Sequence, residues 1–162
     1  MEEYKLTMRS EEDTVYLAQN MESEKFPNMV ICLYGELGSG KTVFAKAFGH
    51  AMGIDGVTSS TFNIIKEYNG ELPLYHMDVY RLEDGNADNL GIEEYFTKGG
   101  VTIIEWADLI QDYLPEERLE IRFSVLDENK RVIKIIPYGE KYEELCEAVL
   151  WSVFFWIVLQ KN

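Results

Sequence analysis

Residues 30–42 read Val-Ile-Cys-Leu-Tyr-Gly-Glu-Leu-Gly-Ser-Gly-Lys-Thr. Val30 to Tyr34 form an unbroken apolar run of the kind that a strand buried on both faces requires, and Gly35 ends it. Gly35 to Thr42 then satisfy G-x-x-x-x-G-K-[ST]. In that pattern Gly38 and Gly40 let the backbone wrap tightly with its N–H groups inward, forming a nest for a phosphate. A helix opening at Thr42 adds the positive end of its dipole. Lys41 reaches the β- and γ-phosphate oxygens, and the Thr42 hydroxyl suits Mg²⁺. The cradle comprises Glu36, Leu37, Gly38, Ser39, Gly40, Lys41 and Thr42, with Val43 following. Strand, glycine turn and helix together predict a nucleotide phosphate site.

Outward from that stretch the pattern alternates. Lys5–Met8 predicts a short edge strand, and Ser10 with Asp13 predicts a capping box opening a helix to about Lys25. Thr42–Met52 predicts a helix closed by Gly53. Strands are expected at Asn63–Tyr68, Leu74–Tyr80, Val101–Trp106, Leu119–Leu126 and Arg131–Pro137, the last two joined by a hairpin turn at Asp127–Lys130. Short helical connections are expected at Gly91–Phe96 and Ala107–Tyr113. A last helix starts near Gly139 and carries Tyr142, Leu145, Cys146 and Val149 on one stripe. Such alternation predicts a three-layer α/β fold, and the strand feeding the Gly-rich phosphate motif makes it one of the P-loop NTPase type around a central, mostly parallel sheet.

The chain has 162 residues, with 15 Lys and Arg against 29 Asp and Glu, a net charge of −14. This length suits one domain. Hydrophobic residues at 46% and charged residues at 27% are globular values, which excludes disorder, collagen-like repeats and a coiled coil. The acidity argues against a large phosphate-backbone footprint, so direct nucleic-acid binding is not expected. The two cysteines, Cys32 and Cys146, form no C-x-x-C pair. With no basic, apolar leader at residues 1–13, they point to a reducing cytoplasm.

The run Ala148–Leu159 is almost wholly apolar but shorter than the roughly 20 residues of a membrane span. A helix end packed on the core or an atypical tail is the preferred reading, ahead of an interfacial anchor or an oligomer contact. The domain is therefore drawn over residues 1–150, with an apolar tail at 151–162.

Magnesium at a phosphate cradle needs an acidic handle at the end of a neighbouring buried strand. Glu105 ends Val101-Thr102-Ile103-Ile104, and Asp78 ends Leu74-Tyr75-His76-Met77; either qualifies. Thr61 sits in the hydroxyl-rich stretch Thr58–Phe62, where switch loops fold over a γ-phosphate. His76 reads as a satisfied structural side chain rather than a catalyst. Trp106 either shields the site, meets a partner or packs in the core. Arg81 is a charge stabiliser or a carboxylate's partner.

Gly35–Thr42, then Ser60-Thr61-Phe62, then Tyr75-His76-Met77-Asp78-Val79-Tyr80-Arg81, then Glu105-Trp106, resemble in order and spacing the bacterial TsaE family. These are small ATPase subunits of tRNA threonylcarbamoyladenosine biosynthesis. The resemblance covers roughly residues 5–150. It implies ATP and Mg²⁺ as cofactors and the TsaD–TsaB heterodimer, which modifies adenosine 37 of tRNA, as partner. It also implies that Thr42 and Glu105 hold magnesium, that Thr61 is the switch threonine, and that Asp78 acts near the γ-phosphate. With Lys41, these form the implied catalytic set. Glu11 and the hairpin around Lys130–Arg131 are implied near the base or ribose. The family usually has proline before the switch Thr-Phe; Ser60 stands there and leaves φ unfixed. The apolar run after Trp151 is also outside the family pattern.

Two other classes use the same cradle. A nucleotide kinase needs several arginines around the transferring phosphate, and the five here (Arg9, Arg81, Arg118, Arg122, Arg131) form no Arg-rich lid. A nucleotide-sensing adaptor binds ATP and docks without useful turnover. A GTPase is disfavoured: Asp88-Asn89-Leu90-Gly91 matches D-x-x-G but follows no strand, and no N-K-x-D motif is present.

Overall fold

The computed structural model describes residues 2–58, 64–80 and 90–159. Seven strands build one sheet: β1 (Tyr4–Met8), β2 (Val30–Tyr34), β3 (Ile65–Tyr68), β4 (Leu74–Asp78), β5 (Val101–Glu105), β6 (Arg118–Val125) and β7 (Arg131–Tyr138), in the order β1-β7-β6-β2-β5-β4-β3. β2 lies parallel to both β5 and β6, and β4 is parallel to β5. The four central strands are thus all parallel. The antiparallel pairings β1–β7, β6–β7 and β3–β4 sit on the flanks. This is the α/β fold of P-loop NTPases that the alternation predicts.

The run at 30–34 is continuous because both faces of β2 are covered. Ile31 and Leu33 join the core beneath α1 (Glu11–Ser23), α2 (Lys41–Ala51) and α4 (Glu140–Leu159). Val30, Cys32 and Tyr34 join a second cluster on the opposite face. There α3 (Ile92–Tyr95) and a 3₁₀ segment at Ala107–Tyr113 contribute Ile92, Ala107 and Ile110. Three layers follow from this period-2 division of side chains. Cys32 and Cys146 are free and buried, and burial pushes both thiols up to about 12.

Several boundaries differ from expectation for local reasons. Helix α1 ends at Ser23, two residues before the expected Lys25. The Ser10 side chain makes no cap hydrogen bond; instead the Arg9 N–H donates to Asp13 Oδ2 at 2.8 Å, so the carboxylate reaches one residue further back. β4 stops at Asp78 and β5 at Glu105, where the positive φ of Trp106 breaks the extended run.

The boundary drawn at residue 150 falls inside α4, which runs unbroken to Leu159. Its buried residues Tyr142, Leu145, Cys146, Val149, Leu150, Val153 and Ile157 follow the i, i+3, i+4, i+7, i+8, i+11, i+15 spacing of one helix face, a stripe that continues past 150. Trp156 packs against Tyr16 of α1 with ring centroids 4.5 Å apart. The apolar run is therefore the core-packed end of a helix on one face. On the other face Trp151, Phe154 and Phe155 stay exposed and lie against one another. Among the described residues no helix is long and apolar enough to cross a membrane.

Candidate nucleotide site

The parallel strands β2, β5 and β4 end at one rim, and the loop from β2 to α2 crosses it, the position where open α/β sheets hold ligands. Gly35 has φ 147°, and a Cβ there would lie 2.6 Å from Ser39 Oγ and 2.8 Å from the Phe123 carbonyl oxygen. Only glycine lets the loop lie this close to β6. Gly40, at φ 113°, is the residue before α2, a conformation that a Cβ would make costly. The helix then opens at Lys41, one residue earlier than expected, leaving its first N–H groups without intrahelical acceptors. Arg131 Nη2 donates to the Gly38 carbonyl at 3.1 Å and ties the loop tip to β7. Ser39 Oγ is buried and has no partner.

Lys41 Nζ donates to the Gly35 carbonyl and, at 3.0 Å, to the Glu36 carbonyl. It also lies 4.0 Å from the centroid of the Trp106 ring. Desolvation lowers the Lys41 pKa, against the opposing pull of Glu105, Asp78 and Asp108. A cation is thus held at the cradle by backbone acceptors that an anionic phosphate can replace. Trp106 has φ 64°, a conformation that is a real outlier for a bulky side chain. Its N–H donates to the Leu33 carbonyl at 3.2 Å, and its ring packs on Tyr80 at 4.6 Å. The strained turn sets the indole beside Lys41, at a site where such strain commonly collects.

Glu105 is buried and hydrogen-bonded through both carboxylate oxygens. Thr42 Oγ1 donates to Glu105 Oε1 at 2.9 Å, and His76 Nε2 donates to Oε2 at 2.6 Å. Both His76 and Glu105 are 2% exposed. Asp78 pairs with Glu105 in the register of β4 and β5, so the two carboxylates stand side by side on one face. Burial raises the Asp78 pKa, the Tyr80 N–H bonded at 3.1 Å opposes that, and the neighbouring Glu105 charge adds to it. Among the described residues no group of three or more His, Cys, Asp or Glu could hold a metal unaided. A hydroxyl with one or two carboxylates beside a phosphate cradle fits Mg²⁺, which takes most of its ligands from phosphates and water.

The family model for threonylcarbamoyl adenosine biosynthesis protein TsaE matches residues 8–133. The chain belongs to the TsaE family. The TsaE protein of Bacillus subtilis is 46% identical over 151 residues, which cover 92% of this chain and 95% of that protein. The Rickettsia felis TsaE protein is 36% identical, with coverage of 81% and 78%. The crystal structure of Bacillus subtilis YdiB superposes with a TM-score of 0.80 at 41% identity, covering 93% of this chain and 96% of that one.

Within this TsaE-family chain, most residues picked out by sequence meet at one cleft of about 860 Å³. Glu11, Leu37, Gly38, Gly40, Lys41, Thr42, Val43, Asp78 and Glu105 all line it. Glu36 contributes through its carbonyl, and Ser39 is buried within the loop. Thr61 and Arg81 lie outside the described residues. Sequence reasoning missed Arg9, Ser10 and Thr14 around the start of α1, whereas Glu128, Asn129 and Arg131, which also line the cleft, belong to the hairpin implied near the base or ribose. No motif marks the first three. The hairpin itself was legible, and Asp127 Oδ1 accepts from both the Asn129 and Lys130 N–H groups there.

The Thr42–Glu105 pair yields a direct expectation. Glu105→Gln keeps the shape but removes the charge, so the gain in nucleotide affinity on adding Mg²⁺ should fall about ten-fold or more. Titrating a fluorescent ATP analogue with Mg²⁺ and with EDTA measures that gain. An unchanged gain would transfer the metal role to Asp78.

Proposed function

We propose that this protein is a Mg²⁺-dependent ATPase that works in the cytoplasm with the TsaD–TsaB heterodimer in threonylcarbamoyl modification of tRNA adenosine 37. One observation carries the reading: Lys41, Thr42, Glu105 and Asp78 converge on the N-terminus of α2 beside a glycine-shaped cradle. Lys41 exchanges its carbonyl partners for β- and γ-phosphate oxygens. The N–H groups of residues 37–42 and the helix dipole hold the β-phosphate. Thr42 and Glu105 hold Mg²⁺, which when bound neutralises charge developing on the phosphates. Asp78, half-buried and with a raised pKa, orients the attacking water. Thr61, as the switch threonine, follows the γ-phosphate. Glu11 approaches the nucleoside end of the cleft.

Against a kinase stands the arginine supply. Of the described arginines, Arg9 and Arg131 line the cleft, and Arg131 is engaged with Gly38 and with hairpin carbonyls. A charge stabiliser is then best supplied by a partner, so intrinsic turnover is slow. At a net charge of −14 the chain leaves the tRNA to its partners. Phosphate release from ATP, with and without TsaD–TsaB and tRNA, tests this. A rise of about ten-fold or more with the partners is expected. Equal rates would remove the partner's role, and transfer of the γ-phosphate to a small acceptor would favour a kinase.

A further inference from the structure

His76 has no part in phosphate binding, yet it makes one of the shortest buried contacts of the site. The β4–β5 register sets it opposite Ile103, two positions before Asp78, so His76, Asp78 and Glu105 share one face of the sheet. From there Nε2 reaches diagonally to Glu105 Oε2 at 2.6 Å, and both side chains are almost completely buried. The other carboxylate oxygen, Oε1, accepts from Thr42 at 2.9 Å. Each oxygen of Glu105 therefore has one fixed partner.

A glutamate's terminal torsion is broad and roughly two-fold, so one hydrogen bond leaves the carboxylate free to rotate. Two anchors on different elements remove that freedom. The His76 anchor is the stiffer, because it joins adjacent central strands, whereas Thr42 sits at a helix start that must receive a ligand. Hydrogen bonds to an ionised group in a desolvated setting are short and strong, which suits this distance. We propose that His76 is a positioning residue: it locks Glu105 Oε2 so that Oε1 stays aimed at Thr42, the two groups that would hold a divalent cation. This rests on the reading of Thr42 and Glu105 as the magnesium handle, and adds to it the group that orients the handle. His76 itself touches neither ion nor nucleotide.

Partners of this kind, acting through a metal ligand, typically alter metal affinity by about 10–100-fold when removed. The test is a Mg²⁺ titration of nucleotide affinity, with a fluorescent ATP analogue, on the full chain. For His76→Phe, the Mg²⁺ concentration giving half of the affinity gain should rise about 10–100-fold, while affinity in EDTA stays near wild type. His76→Gln, which offers an N–H donor at similar reach, should restore most of the wild-type titration. A purely structural role predicts the opposite pattern, with lowered melting temperature and an unchanged Mg²⁺ midpoint. If His76→Phe does not fold, His76→Gln and His76→Met carry the same comparison, since both are long and flexible but only one donates. Equal Mg²⁺ midpoints for those two variants, or a wild-type midpoint in His76→Phe, would overturn the proposal. Wild-type protein whose nucleotide affinity ignores Mg²⁺ would overturn the magnesium reading beneath it, and that result is distinct from the other.

Discussion

Lys41→Ala should weaken ATP binding by roughly 100-fold. Two charge-assisted hydrogen bonds to phosphate oxygens contribute about 1.5–3 kcal/mol each. The lysine is not idle without nucleotide, however: Nζ bonds the Gly35 and Glu36 carbonyls and rests on the Trp106 ring. Those contacts are lost when the phosphates arrive, so the net gain sits near the lower end, about 3 kcal/mol, or two decades of affinity. Calorimetric titration of ATP into the variant reads this directly. Lys41→Arg should not rescue binding, because a planar fork does not fit a pocket built for a compact ammonium. A variant within about three-fold of wild type would show that backbone N–H groups alone hold the phosphates.

Sequence legibility tracks how local each device is. The cradle was readable because its conformational demands fall on consecutive residues: Gly35 must clear the Phe123 carbonyl, Gly40 must adopt positive φ, and Lys41 and Thr42 must follow at once. Asp78 and Glu105 were readable one step less directly, as carboxylates ending apolar strands. That they stand side by side is set by strand register, which a single sequence does not contain. The same register brings His76, read as a satisfied structural side chain, within hydrogen-bond reach of Glu105. Arg9, Ser10 and Thr14 reach the cleft through the flanking β1–β7–β6 part of the sheet, far from the motif in sequence. Their types are ordinary for a helix start, so nothing in composition separates them from surface residues.

The apolar run after residue 148 was the element most open to misreading, and it supports the second large expectation. Hydrophobicity all round a helix hides which face is buried. In this fold the faces differ sharply: Val153 is 0% exposed, whereas Trp151 is 67% exposed. Val153→Asp places an unpaired carboxylate in the core that α4 helps to close and should destabilise the protein by about 3–5 kcal/mol. That loss is a large part of the stability of an ordinary domain, and corresponds to about 10 °C in melting temperature. Trp151→Asp, only two residues away, should change stability by less than about 0.5 kcal/mol, since its ring leaves no core contact behind. Urea denaturation of the two variants separates the possibilities. If both lose stability equally, the outer face of α4 is covered in solution; if neither does, residues 151–159 are an appendage and the boundary at 150 is a real one.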